Sequence, residues 1–494
     1  MISGKYRYLF LGGNSVLVNR LFFILATVLL TVSQSLVAAP NFILVLTDDH
    51  GWSSFSAPMD KTRPEAKSDY YQTPNMDTLL DKGMRFTNGY AAAPVCSPTR
   101  YSIQFGKTPA HLKRTRVQGK NRADHNQIAI PQVLKAVDPR YRAAHIGKWH
   151  IDADPERYGY DLHDGTTKNR EGGFDNNNRQ RQWDGYAEDD PKRVHSLTAR
   201  AIEFMRESIE RDQPFFLQLS HYAVHSNIVY SDSAYSNVGK REKGKLHRDQ
   251  AYAAMIEDLD DSIGTLLAAY EALGLTDNTY IIFTADNGGM PVLPMQLNLG
   301  RPYKKGLNSP LLRGKWDLTE GGIRVPFVML GPGIAANSQT DTPIVSYDLL
   351  PTLADLAGST QNLPKQLDGG SFRPLLSDPN ATVQRPFDGL VFHFPHYNRV
   401  GMNEPHSALR VGDYKLIDFP ASNRRLLFNL KNDIGESIDL SQAEPALTDK
   451  LATKLYDYLN SVGAEQPQDS GSWSRVGEDG NARTHFFKRY QADF

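Results

Sequence analysis

Phe42-Ile43-Leu44-Val45-Leu46-Thr47-Asp48-Asp49-His50-Gly51 is an apolar run that ends abruptly in two carboxylates, an imidazole and a glycine. Five consecutive apolar residues fit a strand buried on both faces, as strands of a parallel sheet are. A distant stretch repeats the layout: Tyr280-Ile281-Ile282-Phe283-Thr284, then Ala285-Asp286-Asn287-Gly288-Gly289. In open α/β sheets, ligands gather outside the carboxyl ends of the strands. Two such strands side by side would bring Asp48, Asp49, Asp286 and Asn287 together. Oxygen donors with no obligatory sulfur or imidazole suit Ca2+ or Mg2+ rather than zinc. Either acidic pair alone would serve equally well to cap a following helix; it is the repetition that points to a metal.

The only cysteine, Cys96, stands in Pro94-Val95-Cys96-Ser97-Pro98-Thr99-Arg100, just before a predicted helix. One thiol makes neither an intramolecular disulfide nor a structural zinc site. Burial as a small hydrophobe is the ordinary fate of a free cysteine. Here, however, Pro98 and Arg100 pin the backbone and set a fixed cation about one helical turn beyond the sulfur. Such surroundings suit an anionic reaction centre.

Further candidates lie between and beyond the two acidic strands. Tyr141–Ile146 reads as a strand followed by Gly147-Lys148-Trp149-His150, in which alternation sends Lys148 and His150 to one side and Trp149 to the other. Gln213–Ser220 reads as another strand, ending in His221-Tyr222-Ala223-Val224-His225. Tyr252–Gly264 carries apolar residues at helical spacing and reads as a core helix. Leu312-Arg313-Gly314-Lys315 then precedes Glu320-Gly321-Gly322-Ile323-Arg324-Val325-Pro326.

The Cys96-x-Pro98-x-Arg100 pattern resembles the modification motif of type I sulfatases, in the alkaline phosphatase superfamily. Thr99 stands where serine is usual, and Phe105-Gly106-Lys107 where Thr-Gly-Arg or Thr-Gly-Lys is usual. Gly147–His150 resembles the family's Gly-Lys-Trp-His segment. His225 falls at the end of the family's Ala-Pro-His, with Val224 in place of proline. Residues 312–326 resemble its Arg-Gly-x-Lys and Glu-Gly-Gly-x-Arg-Val-Pro stretch, with Arg313 one residue closer to Lys315 than usual. Ser346–Thr352 and Leu367–Ser371 resemble later landmarks, and the motifs run in family order from Asn41 to about residue 443.

The resemblance implies a fold and a chemistry. The fold is α/β: a large mixed sheet sandwiched by helices, alkaline-phosphatase-like, plus a small C-terminal α+β subdomain with a short antiparallel sheet. Cys96 would be oxidised by a formylglycine-generating enzyme to formylglycine (3-oxoalanine), whose hydrated aldehyde is the nucleophile. Asp48, Asp49, Asp286 and Asn287 would hold the metal, Ca2+ ahead of Mg2+. Arg100 would support the nucleophile, and Lys148, His225 and Lys315 would contact the sulfate. His225 or Lys315 would protonate the leaving alcohol, and His150 would serve as base. The expected activity is hydrolysis of sulfate esters on a sulfated carbohydrate, as in exported bacterial polysaccharide sulfatases. An arylsulfatase, a phosphonate or phosphate monoesterase of the same superfamily, and an inactive carbohydrate-binding pseudo-sulfatase are the alternatives. The last predicts a missing ligand or lysine, and none is missing.

The remaining features set organisation and location. Lys5, Arg7 and Arg20 precede the apolar run at 21–30, and Val37-Ala38-Ala39 offers a cleavage site, so residues 1–39 read as a signal peptide, cleaved or retained. The run is shorter than the roughly 20 apolar residues of a membrane span. The expected location is therefore secreted or periplasmic. Cleavage would leave about 455 residues, more than one core usually supports, giving a catalytic domain at 40–377 and a C-terminal subdomain at 378–494. A hydrophobic content of 40% and a net charge of −1 exclude a disordered chain and a general nucleic-acid or polyanion binder. The polar stretches at 157–193 and 290–310, the latter with Arg301, Lys304 and Lys305, read as loops that select substrate. Beyond residue 378, short runs at Leu390–His393, Ala408–Arg410, Tyr414–Ile417 and Leu426–Leu430 read as antiparallel strands, with a helix at 447–459. His393, His396, Arg399 and His406 are expected in their loops, reaching toward substrate.

Overall fold

A computed structural model of the chain describes residues 1, 4–5, 39–116, 126–172, 190–226, 228–290, 308–361, 363–397 and 404–467. The apolar run at 21–30, part of the 157–193 stretch, Arg301, Lys304, Lys305 and Arg399 lie outside the described residues. Met1–Ala38 is a separate unit from Ala39–Phe494, and the sheets, helices and site all belong to the latter.

The strands are β1 (Asn41–Thr47), β2 (Met84–Phe86), β3 (Gly89–Tyr90), β4 (Arg142–Gly147), β5 (Leu162–His163), β6 (Phe215–Ser220), β7 (Thr279–Ala285), β8 (Phe327–Leu330), β9 (Ser338–Thr340), β10 (Ile344–Val345), β11 (Leu390–Phe394), β12 (His406–Val411), β13 (Tyr414–Phe419) and β14 (Arg424–Asn429). Eight of them, among the described residues, form one sheet in the order β5-β4-β6-β1-β7-β8-β2-β9. The run from β5 to β7 is parallel, and β8 is antiparallel to both its neighbours. The expected mixed sheet is therefore present, with a parallel centre.

Burial on both faces explains why the central strands read as unbroken apolar runs. Ile43 and Val45 of β1, Leu217 and Leu219 of β6, and Ile281 and Phe283 of β7 pack on one face against helices Val194–Glu210 and Gln250–Ala272. Phe42, Leu44, Leu46, Phe216 and Ile282 point the other way, against helices Cys96–Phe105, Ile130–Val137 and Leu349–Leu356. The long central helix is the predicted core helix, with Ala253, Ile256, Leu259 and Ile263 buried. β1 and β7 are immediate neighbours with Thr47 opposite Ala285, so Asp48 and Asp286 leave the sheet at the same level.

β11 to β14 form the expected antiparallel sheet in sequential order. Helix Pro445–Ser461 covers one of its faces through Leu451, Leu455 and Leu459. The other face, with Phe392, Ala408, Ile417 and Phe428, meets Tyr90, Leu318 and Ile323. A buried charge network pins this junction: Lys415 of β13 lies 2.8 Å from Glu320 and 2.9 Å from Glu436, and Arg324 donates to Glu320 at 2.6 Å. The histidines of this region correct the expectation from sequence. His393 sits within β11, bonded to Ser407 Oγ at 2.7 Å and the Glu465 carbonyl at 2.8 Å. His406 opens β12 and accepts from the Leu318 amide at 3.1 Å. Both are buried parts of the sheet rather than loop residues reaching for substrate. Among the described residues, no helix is long and apolar enough to cross a membrane.

Candidate active site

The carboxyl ends of four adjacent strands supply the site. β4 leads to Lys148 and His150, β6 to His225, β1 to Asp48 and Asp49, and β7 to Asp286 and Asn287. The fifth contributor is the amino end of helix Cys96–Phe105, whose first residue is Cys96. Arg100, one turn along, donates through Nε to Asp286 Oδ2 at 2.8 Å and through Nη1 to the Lys148 carbonyl. This arginine therefore ties the cysteine helix to two strand ends at once.

The residues that the sequence nominates as catalytic or metal-binding are drawn into one buried cluster. Lys315 Nζ lies 2.6 and 2.8 Å from the two Asp49 oxygens and 3.4 Å from Cys96 Sγ. Lys148 Nζ donates to Asp48 Oδ2. Asn287 Nδ2 donates to Asp49 Oδ1 at 2.7 Å, and the Asp49 amide lies 3.2 Å from Asp286 Oδ1. His225 Nε2 is 3.7 Å from Asp49 Oδ2. The His225 Nδ1–H donates to the Ser226 carbonyl, because a carbonyl only accepts. That leaves Nε2 as the nitrogen turned to the cluster. Ser97 Oγ donates to the His150 carbonyl at 2.8 Å and holds that turn against the cysteine helix.

The electrostatics follow from burial. Burial raises the Asp48 carboxyl, yet Lys148, His225 and Arg100 outweigh it and hold the group well below the usual carboxylate range. Its neighbour Asp286 is pushed up to about 6 by burial and by the Asp48 charge. Burial pushes the Cys96 thiol up. Burial and the Lys315 charge lower His225 to about 4, and burial with Lys148 and Arg100 keeps His150 well below the ordinary imidazole range.

A metal fits this donor set. Asp48 Oδ1 and Asn287 Oδ1 are buried acceptors that no hydrogen bond satisfies, a costly state for polar atoms removed from water. Ligand atoms of Asp48, Asp49, Cys96 and His225 all lie within 4.8 Å of one another. Asp286 stands at the edge of this group, with Arg100 on Oδ2 and Oδ1 toward the Asp49 amide.

Two neighbours stay out of the cluster, and two more residues join it without a signal in the sequence. His221 is fully buried, its two ring nitrogens have no hydrogen-bond partner, and its electrostatic neighbours are His195 and Asp190. Arg313 turns aside and donates to Asp317 at 2.6 Å. Asn169, in the aperiodic 157–193 stretch, places Nδ2 3.4 Å from His225 Nε2 and buries an Oδ1 that has no hydrogen-bond partner. Thr167 of the same stretch accepts from the Trp149 amide at 2.9 Å, and its carbonyl accepts from the His150 amide at 2.8 Å. A lone Asn or Thr between polar residues carries no periodic signal that would single it out.

The Sulfatase family model matches residues 40–359, and the model described as N-sulphoglucosamine sulphohydrolase, C-terminal, matches residues 314–464. The chain belongs to the sulfatase family and is a sulfuric ester hydrolase. A sulfatase of Formosa agariphila is 29% identical to it, over 92% of this chain and 95% of that protein. The human N-acetylgalactosamine-6-sulfatase is 28% identical over 68% of this chain and 66% of its own length. The crystal structure of Ps i-CgsB in complex with k-i-k-neocarrahexaose superposes with a TM-score of 0.70 at 23% identity, covering 92% of this chain and 97% of that one. The last likeness speaks for the fold.

Proposed function

We propose that this chain removes sulfate from a sulfated carbohydrate, with residue 96 converted to formylglycine by a formylglycine-generating enzyme. Asp48, Asp49, Asp286 and Asn287 would hold a calcium ion. The observation that carries this reading is the meeting of Cys96 Sγ, Lys315 Nζ and the Asp49 carboxylate at the end of the parallel sheet. When bound, the ion would supply a Lewis acid to the sulfate oxygens. The other steps fall to the chain's own residues.

Lys148 and Lys315 stabilise the charge that builds on sulfate. One hydroxyl of the hydrated aldehyde at position 96 attacks sulfur, and the S–O bond to the sugar breaks. Lys315 gives the leaving alcohol its proton, or His225 does so from Nε2 when its ring carries both protons, since the neutral ring keeps its one proton on Nδ1. His150 then takes the proton of the second hydroxyl; the aldehyde re-forms, its C–O bond to sulfate breaks, and sulfate departs. Water restores the hydrate. The name of the human relative supports a sugar ester as substrate.

The test is a panel of defined sulfated oligosaccharides beside matched phosphate and phosphonate monoesters. Sulfate release from at least one oligosaccharide is expected to exceed ester cleavage of the phosphorus compounds by about 100-fold in kcat/KM. Equal or faster cleavage of a phosphonate would overturn the assignment. We further read residues 1–39 as an export signal, 40–377 as the catalytic domain and 378–494 as its subdomain. Protein recovered from the medium or periplasm is then expected to begin at Pro40, and accumulation of full-length chain in the cytoplasm would refute export.

A further inference from the structure

Trp316 follows Lys315 in a turn and holds φ at +81°, a left-handed backbone that side chains rarely adopt. Its amide donates to the Pro94 carbonyl at 2.9 Å, which fastens this turn to the segment just ahead of Cys96. The indole is half-buried. Its ring lies 5.8 Å from Lys315 Nζ, measured to the centroid. Behind it stands Phe394 of β11, edge to face at 6.3 Å and 62°, itself braced by the rings of His396 and His406. Lys315 Nζ in turn lies 3.4 Å from Cys96 Sγ. A large aromatic surface is therefore held beside the ammonium that flanks the nucleophile position, against a second sheet.

Anchoring the lysine does not explain this surface. Two Asp49 oxygens already hold the Lys315 ammonium, at 2.6 and 2.8 Å. What lies next to a sulfate seated between Lys315 and residue 96 is the ring that carries the ester. A pyranose shows a face of C–H groups and a rim of hydroxyls, and the electron-rich face of an indole is complementary to the former. We propose that Trp316 is the stacking platform for the sugar ring whose sulfate is cleaved. It selects a pyranose that offers an apolar face while its ester projects from the edge. This inference rests on the reading of the chain as a carbohydrate sulfatase and assigns that substrate's recognition to a named side chain.

The experiment compares Trp316→Ala, Trp316→Leu and Trp316→Phe with the parent enzyme on its best sulfated oligosaccharide, with inorganic sulfate as a competitive inhibitor. Sulfate reports on the lysine cradle and has no ring to stack. W316A is expected to raise KM by about 10-fold or more, with kcat and the sulfate inhibition constant changed less than about 3-fold. W316F, which keeps an aromatic face, is expected to recover most of the loss. W316L, which keeps apolar bulk alone, is expected to behave like W316A. A sulfate inhibition constant that rises in step with KM would show that Trp316 acts on Lys315 and would overturn the platform. So would an unchanged KM in W316A, or recovery by W316L equal to that by W316F. If the parent enzyme cleaves no sulfated saccharide yet hydrolyses other esters, the carbohydrate reading itself falls, and the platform with it.

Discussion

Cys96→Ser is expected to lose sulfate release by at least about 1,000-fold in kcat while still cleaving one ester bond per enzyme molecule. A serine hydroxyl at the first residue of helix Cys96–Phe105 occupies the position from which Sγ contacts Lys315 and Asp49. It can attack sulfur and expel the sugar alcohol. It has no geminal second hydroxyl, so His150 has no proton to take and the sulfated side chain has no route to an aldehyde. The enzyme is expected to stop with one sulfo group on the peptide that contains position 96, visible by mass spectrometry, and one equivalent of desulfated sugar in solution. Cys96→Ala is expected to give neither. Both changes remove or replace a single small atom group in a helix whose position is fixed by Arg100 on Asp286 and the Lys148 carbonyl. The thermal unfolding midpoint is therefore expected to stay near that of the parent. Repeated turnover by the serine variant at the parent rate, or an intact thiol at position 96 in fully active protein, would end the formylglycine mechanism.

How much of this site the sequence discloses depends on backbone regularity. The two acidic strands are legible because parallel strands buried on both faces are written as continuous apolar runs, and the residues after them fall where ligands bind. Their adjacency is not legible: pairing β1 with β7 and with β6 brings together residues more than 150 positions apart, a matter of tertiary packing. Side-chain direction is legible only where the chain is extended or helical. Asp49, His150, Arg313 and Trp316 all have positive φ. A period-2 argument stops being valid at each of them, so the turn of Arg313 toward Asp317 has no signature in the sequence. The same limit leaves the direction of the Trp316 ring unreadable from the sequence. His393 and His406 went astray for another reason. Histidine at a strand end looks polar and loop-like, whereas here each ring fills a buried place and finds a hydroxyl or backbone partner.

Calcium and sulfate are expected to stabilise this protein cooperatively, because of the charge count in the cluster. Asp48, Asp49 and Asp286 face Arg100, Lys148 and Lys315, three carboxylates against three cations, all of them buried. A divalent cation held by these carboxylates leaves an excess of two positive charges in a place of low dielectric, and an anion at the same site relieves it. It also competes with the two lysines for Asp48 and Asp49, freeing their ammonium groups for a sulfate. Calcium at 100-fold its dissociation constant is expected to add about 2.7 kcal/mol to the unfolding free energy. Millimolar sulfate is expected to increase that gain by a further 1–3 kcal/mol or so, with equal ionic strength of chloride as the control. Reciprocity then requires calcium to tighten sulfate binding by the same factor, which titration calorimetry measures independently. In Asp48→Asn the baseline stability falls, because the Lys148 ammonium loses its buried partner. The calcium-dependent increment, rather than the baseline, is therefore the quantity to compare, and it is expected to vanish in that variant. An increment that survives Asp48→Asn, or one that zinc produces more strongly than calcium, would remove the ion from the four oxygen-bearing residues at the ends of β1 and β7.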